Sequence, residues 1–206
     1  MTDELAEERT TREVILDAAR DCFAFAGYSG TSLNDIAAEV GIRRPSVLHH
    51  FASKELLYQA VFEQLLADWF ERLAASLHGP ATGLAKVEQT LDAGFGFFAD
   101  NPAYVTLMRR AAIDGGTHLS MDLAEVLRPM FDEAVGYFER EMDAGVFRDQ
   151  DAAQLLLTGY GALLSYFSDA AFLGGLLDEN PLADAALARR RTHIIEFFRS
   201  ALELPA

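Results

Sequence analysis

"SLNDIAAEVGIRRPSVLHHFASKELL", residues 32–57, decides how the rest of the chain is read. Ser32 followed by Asp35 is a helix start, because the first turn of a helix has free amides and these two side chains supply acceptors for them. Leu33, Ile36, Ala37 and Val40 give that helix one apolar face, and Gly41 lets the chain turn out of it. A second short helix is expected from about Arg44 to Phe51. Two short helices joined by a glycine turn, with Ala37 four residues before Gly41, have the spacing of a helix-turn-helix, where the alanine is small because the second helix crosses close above it.

The second helix and its exit carry the chemistry. Pro45 in a first helical turn needs no amide partner and pre-sets the backbone. Ser46 beside it offers a hydroxyl and an N-terminal amide, a pairing suited to phosphate oxygen. Lys54 falls in the first turn of the next helix, where a cation opposes the helix dipole, so a phosphate at that terminus would explain its presence. Three basic residues and no acid lie between Ile42 and Lys54.

Working outward, helical periodicity runs through the whole chain and nothing reads as a sustained alternating strand. Thr10 with Glu13 starts a first helix whose apolar face stops at Gly27, and Ser53 caps a fourth helix running to "HGPATG". Further helical segments are expected near 83–99, 102–113, 121–144, 150–177 and 182–203. The expected fold is all-α: a three-helix DNA-binding domain over residues 1–54 and, entered by a long connecting helix, a larger helical bundle over 55–206.

Composition sets limits. A formal net charge of -15 opposes nucleic-acid binding at first sight, since duplex affinity comes largely from Lys and Arg. Its distribution matters more: 10 of the 32 carboxylates lie in residues 1–56 and 22 in the remainder. No apolar run approaches the eighteen or so residues that span a bilayer, and the acidic N-terminus does not read as a secretion signal. Cys22 is the only cysteine, which excludes an intrachain disulfide and fits a reducing, cytoplasmic setting without membrane attachment.

The run "ILDAARDCFAFAGYSGTSLNDIAAEVGIRRPSVLHHFASKELLYQAV", residues 15–61, resembles the DNA-binding region of TetR-family transcriptional regulators. The shared motifs are A-x-x-x-F followed by a Gly-aromatic pair, T-S/T-x-x-x-I-A, the glycine turn, and H-F-x-S-K-E-x-L. The resemblance implies a homodimer on a double-stranded, palindromic operator, a third helix in the major groove, and an effector pocket in the C-terminal bundle. It makes Ser32 and Ser46 phosphate contacts and Lys54 the phosphate-binding lysine. It places Asn34, Arg43 and Arg44 within reach of base edges or flanking phosphate, and His49 and His50 at the end of the recognition helix, against the DNA backbone. Arg44 is the expected base contact, since a guanidinium matches guanine O6 and N7. Two positions depart from the pattern: Leu48 stands where tyrosine is usual, and Arg43 replaces the usual serine cap.

Other chemistries are disfavoured. Zinc needs three or four ligands, and adjacent helical histidines point about 100 degrees apart, so His49 and His50 do not share an ion easily and no metal or other cofactor is expected. No phosphate loop, HExxH pair or nucleophile elbow is present, so no enzyme is expected.

The C-terminal part is rich in large apolar residues. Trp69, Phe95, Phe98, Tyr104, Met108, Phe131 and Tyr160 suffice to line a cavity for a small, mostly hydrophobic effector, with Arg109 or His118 for an anionic group, although the same residues also make an ordinary core. Gly159, Ala162 and Ser165 let helices approach closely, and Ile194, Ile195, Phe198 and Leu202 form a stripe on the last helix; together they are the expected dimer interface. A second function class stays open: a helical ligand- or partner-binding protein whose DNA module no longer works, as Leu48 would permit.

Overall fold

The computed structural model describes residues 10–204, and among these it contains ten helices and no strand. The first four are α1 (Thr11–Gly30), α2 (Leu33–Val40), α3 (Arg44–His50) and α4 (Lys54–Leu77). Their boundaries follow from local chemistry. Thr10 and Ser32 each form a full capping box, with Glu13 and Asp35 respectively. Gly41 ends α2 at φ 76°, a left-handed conformation that only glycine adopts cheaply. Ser53 Oγ accepts the Leu56 amide at the start of α4. At Gly27 the first helix kinks, at φ 74°, and runs one further turn to Gly30 instead of stopping. The buried Thr31 hydroxyl then donates to the Cys22 and Gly27 carbonyl oxygens and fixes the exit.

The remaining helices are α5 (Gly83–Asp100), α6 (Pro102–Ile113), α7 (Leu123–Asp143), α8 (Ala152–Ser168), α9 (Ala170–Leu177) and α10 (Asp184–Leu202). The segment expected as one helix over 150–177 is two, broken at Asp169, whose backbone leaves the helical region at φ -104°, ψ 17°. None of the described helices is long and apolar enough to cross a membrane.

The chain forms two compact units. One comprises the described residues up to Leu66 with Arg110–Met121; its core holds Ile15, Ala19, Phe23, Ile36, Val47, Leu57 and Phe62. The other comprises Ala67–Arg109 and the chain from Asp122 onward, with α5 packed against α8 and α10, and α8 against α7 and α9.

Candidate nucleic-acid interface

Of the seven residues of α3, only Val47 is buried, at 0% exposure. Val47 anchors the helix and leaves Arg44, Pro45, Ser46, Leu48, His49 and His50 exposed around it, with Arg43 exposed at the N-cap. Arg43 makes no side-chain capping bond, because a guanidinium has no acceptor to offer the helix amides. Among the described residues no carboxylate pairs with Arg43 or Arg44, although six ion pairs form elsewhere. An unpaired arginine pair on a chain this acidic is a local positive site.

Ser32 and Asn34 are exposed at the start of α2. The Ser32 hydroxyl oxygen accepts the Asp35 amide, which leaves its own proton to donate. The Ser46 amide expected to face phosphate is already used: it donates to the Arg43 carbonyl at 2.8 Å, so only the hydroxyl remains. The rings of His49 and His50 lie 5.3 Å apart, edge to face. Leu48 is 37% exposed and sits one turn beyond Arg44, presenting methyl groups where the family pattern has a phenol.

Lys54 is half-buried, its ammonium 4.1 Å from the centroid of the Tyr28 ring. The Tyr28 hydroxyl donates to Glu55 Oε1 at 2.6 Å. That bond, first among several, holds the Glu55 carboxyl down at about 2; burial, then the same bond, pushes the Tyr28 phenol up to about 12.

Two residues here were not legible as site residues in the sequence. Tyr28 is one. Arg12 is the other: its guanidinium lies 4.9 Å from the centroid of the Phe51 ring, at the C-terminal end of α3. The available signal was the one used for Lys54, a cation in a first helical turn.

The residues expected around an effector divide. Trp69, Phe98 and Tyr104 meet as a triangle of rings, Phe98 stacked on Trp69 at 5.1 Å and on Tyr104 at 5.8 Å, with Trp69 and Tyr104 6.0 Å apart; Phe97 closes on the same group and Phe167 joins Phe95 to it. Tyr104 is deeply buried and its phenol is raised by that burial, with Tyr160 adding to it; burial also raises Tyr160, against the opposing charge of Arg109. Trp69, Phe95, Phe98 and Tyr104 therefore pack as one group, to which Tyr160 and Arg109 are tied only through charge. Met108 is buried on α6 and Phe131 is half-buried on α7. His118 is not in this group: it stacks on Tyr28.

The expected dimer stripe divides in the same way. Ile194, Phe198 and Leu202 point into the chain's own core, and a side chain at Gly159 would meet the Phe198 ring at 3.2 Å, so these four pack within one chain. Ala162, Ser165 and Ile195 are half-exposed, and Leu157, Tyr160 and Phe197 are exposed on the same two helices.

A family model described as bacterial regulatory proteins, tetR family, matches residues 15–61, and one described as tetracyclin repressor-like, C-terminal domain, matches residues 84–197. The HTH-type transcriptional regulator RutR of Escherichia coli (strain K12) is 28% identical over 155 residues, 75% of this chain and 73% of its own. The solved structure of the ketosteroid transcriptional regulator KstR2 of Mycobacterium tuberculosis matches with a TM-score of 0.79 at 18% identity, over 97% of this chain and 98% of that one. AibR, solved in complex with isovaleryl coenzyme A and operator DNA, matches at 0.70 with 15% identity, over 90% and 96% of the two chains.

Proposed function

The chain belongs to the TetR family of bacterial regulatory proteins and is a ligand-responsive, DNA-binding repressor of transcription, and from this we propose that two copies hold a palindromic operator and release it when a mostly hydrophobic small molecule binds. The observation that carries the DNA reading is α3: one buried residue, the rest exposed, and an arginine pair with no carboxylate partner among the described residues. In this reading residues 1–54 meet the DNA. Arg44 takes guanine, and Arg43, Ser32, Ser46, His49, His50 and Lys54 take backbone phosphates. Asn34 reaches a flanking group, Pro45 lets the backbone approach closely, and Leu48 meets a thymine methyl in place of the hydroxyl contact it lacks.

Residues 55–206 supply the effector site and the dimer. The aromatic group round Tyr104 is filled at Phe97 and Phe98 and incompletely covered at Trp69, Tyr160 and Arg109, which is where an apolar molecule with an anionic end would enter. That AibR holds an acyl coenzyme A and DNA supports this class of effector. Trp69 and Lys54 stand on the same helix, α4, so in this reading α4 carries the effector's influence to the DNA end. Two half-sites sit about 34–36 Å apart, and a changed separation of two recognition helices abolishes simultaneous contact. Induction is then a shift of population toward the state the effector prefers.

For the dimer, the exposed apolar residues Leu157 and Phe197, with Ala162, Ser165 and Ile195, form the face a second copy covers. In this reading the protein is a cytoplasmic regulator and not an enzyme; burial first, then Glu39 and Asp35, raises the Cys22 thiol, opposite to what a cysteine nucleophile needs.

The test is binding to duplexes from the protein's own upstream region, with sedimentation to read the number of copies. Preference for one palindromic segment, lost in Arg44→Ala, is the expected result; equal affinity for unrelated DNA overturns it. Calorimetry with acyl coenzyme A thioesters and free fatty acids tests the effector, and absence of both heat and any change in DNA affinity excludes that class.

A further inference from the structure

Tyr28 and the groups round it form a cluster that the repressor reading leaves unexplained. The Tyr28 ring is stacked on the His118 imidazole, centroids 4.0 Å apart and planes 17° from parallel. Tyr58 meets the same ring edge-on at 5.0 Å. His118 comes from the segment between α6 and α7, which belongs to the same compact unit as α1–α3. A second fastening holds the end of α6, from which that segment leaves: Arg110 Nη2 donates to the Phe25 carbonyl at 3.3 Å. Gly27 leaves space for this, since a side chain there would come within 2.9 Å of Arg110 Nη1. Gly115 and Gly116, at φ 63° and 69°, turn the chain immediately before His118.

Lys54 and Glu55 are adjacent, and adjacency is a difficulty for phosphate binding. A carboxylate beside the ammonium neutralises it and repels the phosphate it should attract. Tyr28 gives each its own contact, since its ring takes the ammonium and its hydroxyl takes the carboxylate, and the Lys54 charge is the last of the influences on Glu55. Both contacts depend on where the ring lies, and a stack within 17° of parallel restricts how far that plane turns.

We propose that His118 is a positioning residue for operator binding: by fixing the Tyr28 ring it holds the Lys54 ammonium ordered at the start of α4 and keeps Glu55 turned aside. The ammonium has three N–H donors, so contact with the ring leaves others for a phosphate. A cation already held in place loses less conformational freedom when the phosphate arrives. The inference rests on the reading that Lys54 meets a DNA phosphate.

The experiment uses the full chain and, as probe, the duplex it selects most tightly from a random library, with affinity followed by fluorescence anisotropy across a salt series. Lys54→Met is expected to weaken binding and to lower the slope of log affinity against log salt by about 0.9 per copy. His118→Ala is expected to weaken binding about 2- to 5-fold, the size of one exposed cation–π contact, and to cause no further loss where Lys54 is already Met. His118→Phe keeps a ring to stack and retains wild-type affinity. Equal losses from His118→Ala in both backgrounds overturn the proposal, since that is what a merely structural role produces. A loss on Lys54→Met with none on His118→Ala overturns this inference alone. If Lys54→Met changes neither affinity nor slope, the phosphate assignment falls and the inference with it.

Discussion

Helix α3 and the aromatic group round Phe98 use their side chains in opposite ways. In α3 one residue of seven points inward and the others are left for a partner. Round Phe98, the side chains of Phe95, Phe97 and Tyr104 are buried, Trp69 is half-buried, and Tyr160 is exposed. The difference teaches where function and stability separate. A surface helix held by a single anchor can change its reading residues without loss of fold. A binding site made of core residues cannot, because the groups that would recognise an effector also hold the helices together.

The largest expected effect breaks the second region. Phe98→Ala removes a ring packed on Trp69, Tyr104 and Phe167, and should cost about 3–5 kcal/mol of stability by chemical denaturation. Arg44→Ala is the counterpart in α3. It should cost about 1–3 kcal/mol of operator binding, relax preference at one base pair, and leave the unfolding midpoint unchanged. An Arg44 variant that unfolds early, or a Phe98 variant that does not, would erase the contrast. Gly41→Ala tests the turn that sets α3 on α2. No atom lies near the added methyl, so the cost of about 1–2 kcal/mol comes from the left-handed backbone alone. A thermal scan reads it directly, and a neutral result would mean that the turn relaxes.

Legibility in the sequence follows the same division. The starts of α1, α2 and α4 are set by Thr10, Ser32 and Ser53, whose partners are two or three residues away, and the end of α2 by Gly41; such chemistry is visible in any short window. The break between α8 and α9 at Asp169 has no glycine or proline to announce it. The stripe Ile194, Phe198 and Leu202 was legible as apolar, but which neighbour covers an apolar stripe is decided by tertiary packing; here it is the chain's own core. His118 was expected near an effector because its charge suited an anion. Its actual neighbour is Tyr28, and no local pattern links an imidazole after two glycines to a ring at the far end of the chain. Arg43 and Arg44 were placed toward DNA by the resemblance, and both are exposed.

The smallest effect sharpens the comparison at its boundary, where a surface residue is also part of a structural bond. Glu55 is fully exposed, yet its carboxyl is held from an ordinary value near 4.5 down to about 2, chiefly by the Tyr28 hydroxyl. A depressed folded value means that the bond stabilises the fold above pH 4.5 and that this contribution disappears as pH falls toward 2. Tyr28→Phe removes the hydroxyl and keeps the ring. The variant should therefore be slightly less stable than wild type at pH 7, by a constant amount down to about pH 4.5, and the two stability curves should approach each other below it. On the alkaline side the raised phenol works in the opposite sense: its contribution is present below pH 10, is lost as pH rises toward 12, and is absent from the variant. Denaturant titrations from pH 7 to 3 check the acid limb. Parallel curves throughout that range would show that the Tyr28 hydroxyl does not bond the ionised Glu55 in solution, and would leave the ring as the only part of Tyr28 that acts on α4.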